Sequence, residues 1–498
     1  RFWHEVSESD CGSLFDNNTK WVYHHKGGEY RKWAGNQEYV ILWEHKGGEI
    51  KQMPNSGIQG EKSFLIDSAV WSDITSGGFS ARNKYKGHIF DSASPAGFLV
   101  GKDNATLLSF LNSAIVKYLT PILNPTFHFK VGNFRSLPFI AVDNSSVERL
   151  IEKEQADWDS YETSWDFTSL PLLQSDYRQQ TLKATYEKLR AQWQETTLEM
   201  QRLEEENNGI FIDAYGLQDE LKPDVPCCEI TLTCNPHYRY DGNKSEEELE
   251  ALLLADTMRE LISYAVGCMF GRYSLEKSGL ILANQGETFA DYMNRVPEPS
   301  FPADDDNVIP ILDGNWFTDD ISERFRKFLR IAFGEEHYEA NLNFIENAIG
   351  KDIRKYFLRD FYNDHVKRYK KRPIYWLFSS PNGSFNALIY MHRYRPDTVS
   401  VVLNDYLREF RTKLSSHLDH LKQVEASTDT SKGEKVKALK EIEDLKKTID
   451  EMITWEREIL YPMATQQVEI DLDDGVKVNY VKLGVALKKI PGLDSKQD

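Results

Sequence analysis

The sequence predicts an α+β multidomain chain: a β-rich first part, an α-helical spacer, an α-rich C-terminal domain and a long antiparallel helical hairpin. Three observations carry that expectation. Residues 1–141 hold short aromatic and β-branched runs separated by Gly-Gly pairs. Residues 142–222 change to apolar positions at helical spacing. Residues 401–461 place an apolar side chain every three or four positions on both sides of a short polar segment. At roughly 150 residues per domain, 498 residues suggest about three domains.

Each element follows in chain order. In KWVYHHKGGEYRKWAGNQEYVILWEHKGGEI, the pairs Gly27-Gly28 and Gly47-Gly48 are expected hairpin turns, and Gly77-Gly78 is a third. In NATLLSFLNSAIVKYLTPIL, Leu107, Leu108, Leu111, Ile115, Val116 and Leu119 predict a helix. Asp103 or Asn104 would cap it and Pro121 would stop it. The spacer, residues 142–222, opens with SSVERLIEKEQADWD, breaks at SLPLL and continues as a long amphipathic helix. Its stripe is Leu182, Tyr186, Leu189, Trp193, Met200 and Leu203, and Asn207-Asn208-Gly209 is its expected end.

LKPDVP is a plausible linker into the α-rich domain, residues 223–400. There SEEELEALLLADTMRELISYAVGCMFGRY is a helix with acids in its first turn. Three further helical stretches follow, then a hairpin in PIYWLFSSPNGSFNALIYMHRY turning at Pro381-Asn382-Gly383. In residues 401–461 one helix carries Leu403, Leu407, Phe410, Leu414, Leu418 and Leu421. The other carries Val436, Leu439, Ile442, Leu445, Ile449, Met452 and Ile459. Residues 462–498 are a tail with a short strand pair, and no internal repeat of 20 to 50 residues is found.

A hydrophobic fraction of 40% and a mean hydropathy of −0.54 exclude wholesale disorder. No uncharged apolar run reaches the ~18 residues of a membrane span, so a soluble chain with no membrane partner is expected. Five cysteines, two of them adjacent, make no disulfide framework, and a reducing, cytoplasmic setting fits. The opening RFWHEVSESD has no secretory pattern and no Met, which reads as a processed chain or a fragment.

The net charge of −18 argues against a nonspecific nucleic-acid binder taken whole. The distribution says otherwise. Residues 1–141 carry 15 Lys/Arg against 13 Asp/Glu, and residues 351–372 carry nine basic against three acidic side chains. EYRKWAGN sets Arg31, Lys32 and Asn36 around Trp33. SGGFSARNKYKG sets Ser76, Ser80, Arg82, Asn83, Lys84 and Lys86 near a Gly turn, and FKVGNFRSLPF adds Lys130, Asn133 and Arg135. The second segment offers Arg354, Lys355, Arg359, Lys367, Arg368, Lys370, Lys371 and Arg372. Arg and Asn suit base edges; Lys, Ser and amides after Gly suit phosphates. A solvated surface is the competing reading of the same residues.

Other constellations are weaker. No Walker loop, HExxH, GxSxG or GxGxxG unit occurs. Cys227, Cys228, Cys234 and His237 lack the spacing of a tetrahedral metal site and read as ordinary thiols and an ordinary imidazole. His24-His25 reads as a pair on a strand.

GEYRKWAGNQEYVILWE, ITSGGFSAR, GHIFD, LLSFLNSAIVKYLTPILNPTFHFKVGNFRSLPF and NNGIFIDAYGL together resemble the target-recognition region of adenine-specific DNA methyltransferases. ITLTCNPHYRY, ISYAVGCMFGRYSLEKSGLIL, the 351–372 segment with PIYWLFSS, and DLDDGVKVNYVKLGVALKKI are similar to the C-terminal half of the PglX family, the methyltransferases of bacterial BREX phage-exclusion systems. The resemblance runs nearly end to end. It implies that residues 1–141 are a DNA target-recognition domain. It also implies that the whole protein methylates an adenine amine with S-adenosylmethionine, marking host DNA. That family's catalytic half carries an Asn-Pro-Pro-aromatic motif and a cofactor-binding turn. Asn124-Pro125-Thr126-Phe127 departs from the motif at its third position, with no such turn before it, and reads as structural; Asn235-Pro236-His237-Tyr238 does likewise.

The chain alone is therefore expected to be inactive, with no catalytic, cofactor-binding or metal residue. The expected partners are double-stranded DNA and the catalytic N-terminal half of the same protein. Other BREX proteins docked by the helical hairpin, or an acidic DNA-mimicking phage inhibitor occupying the DNA groove, are further candidates.

Overall fold

The computed structural model describes residues 1–493 apart from positions 18, 55, 59, 76, 102 and 429. It is a mixed α/β structure in which helix predominates and three small sheets occur. The chain forms two compact units, Arg1–His4 with Glu8–Met258, and Glu5–Ser7 with Arg259–Asp498. Among the described residues no single helix is long and apolar enough to cross a membrane.

In the first unit, Trp21–His25 pairs antiparallel with Tyr39–Leu42 and parallel with Cys11–Gly12 and Ile89–Phe90. A second sheet sets Ser68–Trp71 between Ala81–Lys84 and Ala96–Gly97, all antiparallel. The expected strands are thus present but short, and helices share the first 141 residues with them. The Gly-Gly pairs mostly do other work. Gly27-Gly28 opens a 13-residue connection rather than a tight turn. Gly28 lies against Asn36, whose side chain would sit 2.6 Å from a Cβ there. Gly47 sits inside the helical segment Glu44–Gln52, in a left-handed stretch with His45 and Lys46. A Cβ at Gly47 would come to 3.0 Å from the Trp43 ring. Gly77-Gly78 does lie between paired strands.

The predicted helix over 104–123 is two helices, Asn104–Leu111 and Ala114–Leu123. Asp103 caps the first, accepting from the Thr106 amide. Pro121 does not stop the second but sits in its last turn, where it forgoes the backbone bond to the carbonyl four residues before it and the helix ends two residues later. Asn207 and Asn208 hold the break between these helices. Asn207 accepts from the Ser109 hydroxyl at 2.6 Å and donates to the Ser109 carbonyl; Asn208 accepts from the Ala114 amide at 2.8 Å. The long helix therefore runs through Asn207-Asn208-Gly209, as Leu182–Tyr215, and ends at left-handed Gly216. Its side chains share a core with Trp33, Trp71, Leu108, Phe110, Leu150 and Ile230. The helix Val147–Trp158 packs on the same core through Val147 and Leu150.

In the second unit the hairpin is Tyr375–Ser379 against Asn386–Tyr390, with Ser379 opposite Asn386 and Ile309–Pro310 on the far side of the second strand. The basic stretch 351–372 is two helices, Ile353–Arg359 and Phe361–Arg368, meeting at Asp360. The long helical pair, Arg408–Ala426 and Lys432–Trp455, is antiparallel. Arg408 and Arg411 reach Glu456, and His417 reaches Glu441. Leu421, Ala438 and Ile442 form its seam. Residues 475–482 form a helix and not a strand, although Val476, Val478 and Tyr480 alternate. The Val476 amide at its start donates to the buried Glu5 carboxylate, a partner 471 residues away.

Candidate nucleic-acid interface

The structure divides the expected interface residues into an internal group and an exposed group. Arg31 lies in the interior of the first unit. Its Nε is 2.9 Å from Glu154, its Nη2 donates to Asp157 at 2.7 Å, and its Nη1 donates to Thr233 at 2.8 Å. The guanidinium also lies on the Trp158 ring. Two carboxylates hold Arg31 firmly charged, while burial pushes the Glu154 carboxyl up against the pull of Arg31. Lys32 pairs with Glu204, and Trp33 donates to the other oxygen of that carboxylate at 2.8 Å. Trp33 is fully buried with φ 66°, a conformation costing about 1–3 kcal/mol that its strand-like bonds to Ala81 and Asn83 impose.

Arg82 and Lys84 are also internal. Arg82 donates to the Arg31 carbonyl and the Ser72 hydroxyl, each at 3.2 Å, and burial pushes it down to about 10. Lys84 donates to the carbonyls of Phe64, Tyr85 and His88, and burial pushes it down to about 8. Ser80 accepts from the Arg31 amide, Asn83 accepts from Asn104, and Asn36 donates to the Glu29 carbonyl. These eight, Arg31, Lys32, Trp33, Asn36, Ser80, Arg82, Asn83 and Lys84, are buried. The expectation that they face a duplex is corrected by their burial: a cation spent on an internal partner presents nothing to phosphate. Ser76 lies outside the described residues. The first unit's exposed cations from the expected set are Lys86, Lys130 and Arg135, with Asn133 half-buried.

The second basic segment divides the same way. Arg354 turns inward to the carbonyls of Leu312 and Gly314 and to the carboxylate of Asp320. Lys355 pairs with Asp352 at 2.8 Å, Arg368 is half-buried, and half-buried Arg372 approaches Glu5 at 4.0 Å. Arg359, Lys367, Lys370 and Lys371 are exposed. Lys370 and Lys371 have φ 48° and 62°, two consecutive left-handed lysines at the end of a helix.

The sequence reading missed the continuation of this surface. Residues 475–490 contain Lys477, Lys482, Lys488 and Lys489 and no acid. The Tyr480 hydroxyl meets that of Tyr362 at 2.8 Å, and the Lys488 amide donates to the Leu377 carbonyl. The tail thus packs beside the basic helices, with Lys488 and Lys489 exposed. An acid-free run of four lysines was the available signal; its burial partners were not.

Cys227 donates to Asn235, and His237 faces Glu246 at 3.4 Å. Asp304, Asp305 and Asp306 stand close enough to share a cation, but Arg324 pairs with Asp304 and Arg393 donates to the carbonyls of Asp304 and Asp305.

No family model matches the chain. Comparison with curated proteins is decisive. An adenine-specific methyltransferase BrxX of Escherichia coli O9:H4 is 34% identical over 517 residues, 99% of this chain. The chain belongs to the PglX family of methyltransferases. The adenine-specific methyltransferase PglX of Lacticaseibacillus casei is likewise 34% identical, over 97% of this chain. The chain spans about two-fifths of the length of these relatives, 42% and 41%.

Proposed function

We propose that this chain is the DNA-recognition and clamping region of a site-specific adenine (N6) methyltransferase that marks host DNA and supports BREX phage exclusion. The observation that carries the reading is a set of exposed Lys and Arg side chains in each unit of an otherwise acidic chain whose relatives are named adenine-specific methyltransferases. In the first unit these are Lys86, Lys130 and Arg135; in the second they are Arg359, Lys367, Lys371, Lys488 and Lys489. Each is offered to phosphates, which set register. Methyl transfer belongs to the whole protein, with S-adenosylmethionine as donor and the catalytic half as partner.

Titration onto fluorescent duplex DNA at several salt concentrations tests this. For each tenfold rise in salt, binding is expected to weaken by about 0.9 log units per neutralised phosphate. The variant Lys367→Ala, Lys371→Ala, Lys488→Ala, Lys489→Ala should flatten the slope by about 3 to 4 and lower affinity about 10³-fold near 0.1 M salt. An unchanged slope would remove the second unit's surface from the interface.

A second reading has its own observation. Val436 and Leu439, one turn apart on the helical pair, are 66% and 49% exposed. This face would dock other defence proteins. Val436→Asp with Leu439→Asp should then abolish complex formation in a pull-down against the other BREX components and leave DNA affinity within twofold. Retained complexes would dismiss it.

A further inference from the structure

The Asn124-Pro125-Thr126-Phe127 turn is not spent on packing. Asn124 donates from Nδ2 to the carbonyls of His128 at 2.6 Å and Thr126 at 3.2 Å. The Thr126 hydroxyl donates to Asn124 Oδ1 at 2.8 Å and accepts from the His128 amide at 3.3 Å. The main chain is tied down on both sides: the Thr75 amide donates to the Phe127 carbonyl, and the Phe129 amide donates to the Asp73 carbonyl. Phe129 points inward, tilted against Phe79 and edge-on to Trp71. Phe127, two residues before it, is 70% exposed. Ile74, bridged to His128, is 63% exposed. A bulky aromatic is therefore held out into solvent by a turn that cannot easily fold it back.

The charge of the segment that carries this turn is unusual for this protein. Residues 104–142 contain Lys117, Lys130 and Arg135 and no Asp or Glu, in a chain with 78 acids among 498 residues. Lys117 is held by Glu229, whereas Lys130 and Arg135 are exposed and without an ion-pair partner among the described residues. The Asp73 carboxylate beside the turn is engaged by His128 at 3.2 Å, and an apolar tip whose own segment carries two unpaired cations suits a polyanion with an apolar interior. Duplex DNA has that chemistry: phosphates outside, stacked bases within.

We propose that Phe127 is a wedge that enters the base stack of bound DNA, with Lys130 and Arg135 on the flanking phosphates. The inference rests on the DNA-recognition reading and adds a distortion step to it. An enzyme acting on an adenine amine must take the base out of the helix, and breaking one base step lowers the cost of doing so. A side chain already fixed outward loses little freedom on insertion. Phe127 is here a positioning residue; no chemistry is assigned to it.

The test uses the full chain and two fluorescent duplexes, one perfect and one with a single abasic site. The wild-type chain should prefer the abasic duplex by about 5- to 20-fold, because the stack there is already broken. Phe127→Ser should lose that preference and bind the perfect duplex about tenfold more weakly, with its salt slope and melting temperature unchanged. Phe127→Trp should keep the preference, with indole fluorescence quenched as DNA is added. A Phe127→Ser chain that binds and discriminates like wild type overturns the wedge and leaves the apolar tip to a protein partner. A wild-type chain that binds no duplex at low salt overturns the DNA reading itself, and the wedge with it.

Discussion

Replacing Arg31 by alanine is expected to destabilise the first unit by about 3–5 kcal/mol, the usual cost of leaving a buried charge unpaired. The substitution strands two carboxylates. Glu154 would keep only the Thr231 hydroxyl at 2.9 Å, while Asp157 would retain the amides of Thr233 and Cys234. Urea unfolding followed by tryptophan fluorescence measures it, since Trp158 stacks on Arg31. Arg31→Met with Glu154→Gln should be less damaging than Arg31→Ala, because the neutral amide no longer needs a counter-charge. Arg31→Lys should fall between, keeping the charge but losing the fork that reaches three partners. None of the three should change the salt slope of DNA binding by folded protein. A slope that fell by about one unit, with stability intact, would return Arg31 to the interface.

That experiment touches what was legible in the sequence and what was not. Residue type was legible: EYRKWAGN does gather cations around an aromatic. Burial was not, because the partners of Arg31 and Lys32, namely Glu154, Asp157 and Glu204, lie 123 to 172 residues away, beyond any local spacing rule. Long periodic elements were legible for the opposite reason. The stripe of Leu182–Tyr215 and the seam of the helical pair repeat every three or four residues, so each position reports on its neighbours. The errors came where a local signal was outbid by tertiary bonds. Asn207-Asn208-Gly209 reads as a stop, yet the asparagines bind Ser109 and Ala114, and one helical glycine costs only about 1 kcal/mol. The strand-like alternation at 476–480 lost to a helix whose first amide is satisfied by Glu5. At the candidate interface the 351–372 charge excess was visible, while its extension to Lys488 and Lys489 depended on how the tail folds back.

Acid should weaken the first unit through a buried histidine pair. His25 Nε2 meets His88 Nδ1 at 3.3 Å, both rings are buried, and Lys84 donates to the His88 carbonyl. Burial, with the Lys84 charge adding to it, pushes His88 down to about 4; burial and the neighbouring cations hold His25 well below its ordinary value. The sign follows directly. The unfolded chain takes up these protons near pH 6.5, the folded unit only near 4 for His88, so folding stability is full above 6.5 and falls as pH drops toward 4. For His88 the loss amounts to about 3 kcal/mol at pH 4. Burial pushes Glu154 up, which acts with the opposite sign, so the informative quantity is the difference between wild type and His88→Gln, neutral throughout. Hydrogen exchange of residues 21–25 and 88–90, measured from pH 7.5 to 4.5, reads this unit alone, apart from His392, which burial pushes down to about 3 in the second. After correction for intrinsic exchange rates, wild-type protection should fall relative to His88→Gln by about 10- to 100-fold across that range. Parallel curves for the two proteins would mean that His88 is protonated at little cost in the folded unit, which a ring enclosed beside Lys84 does not permit.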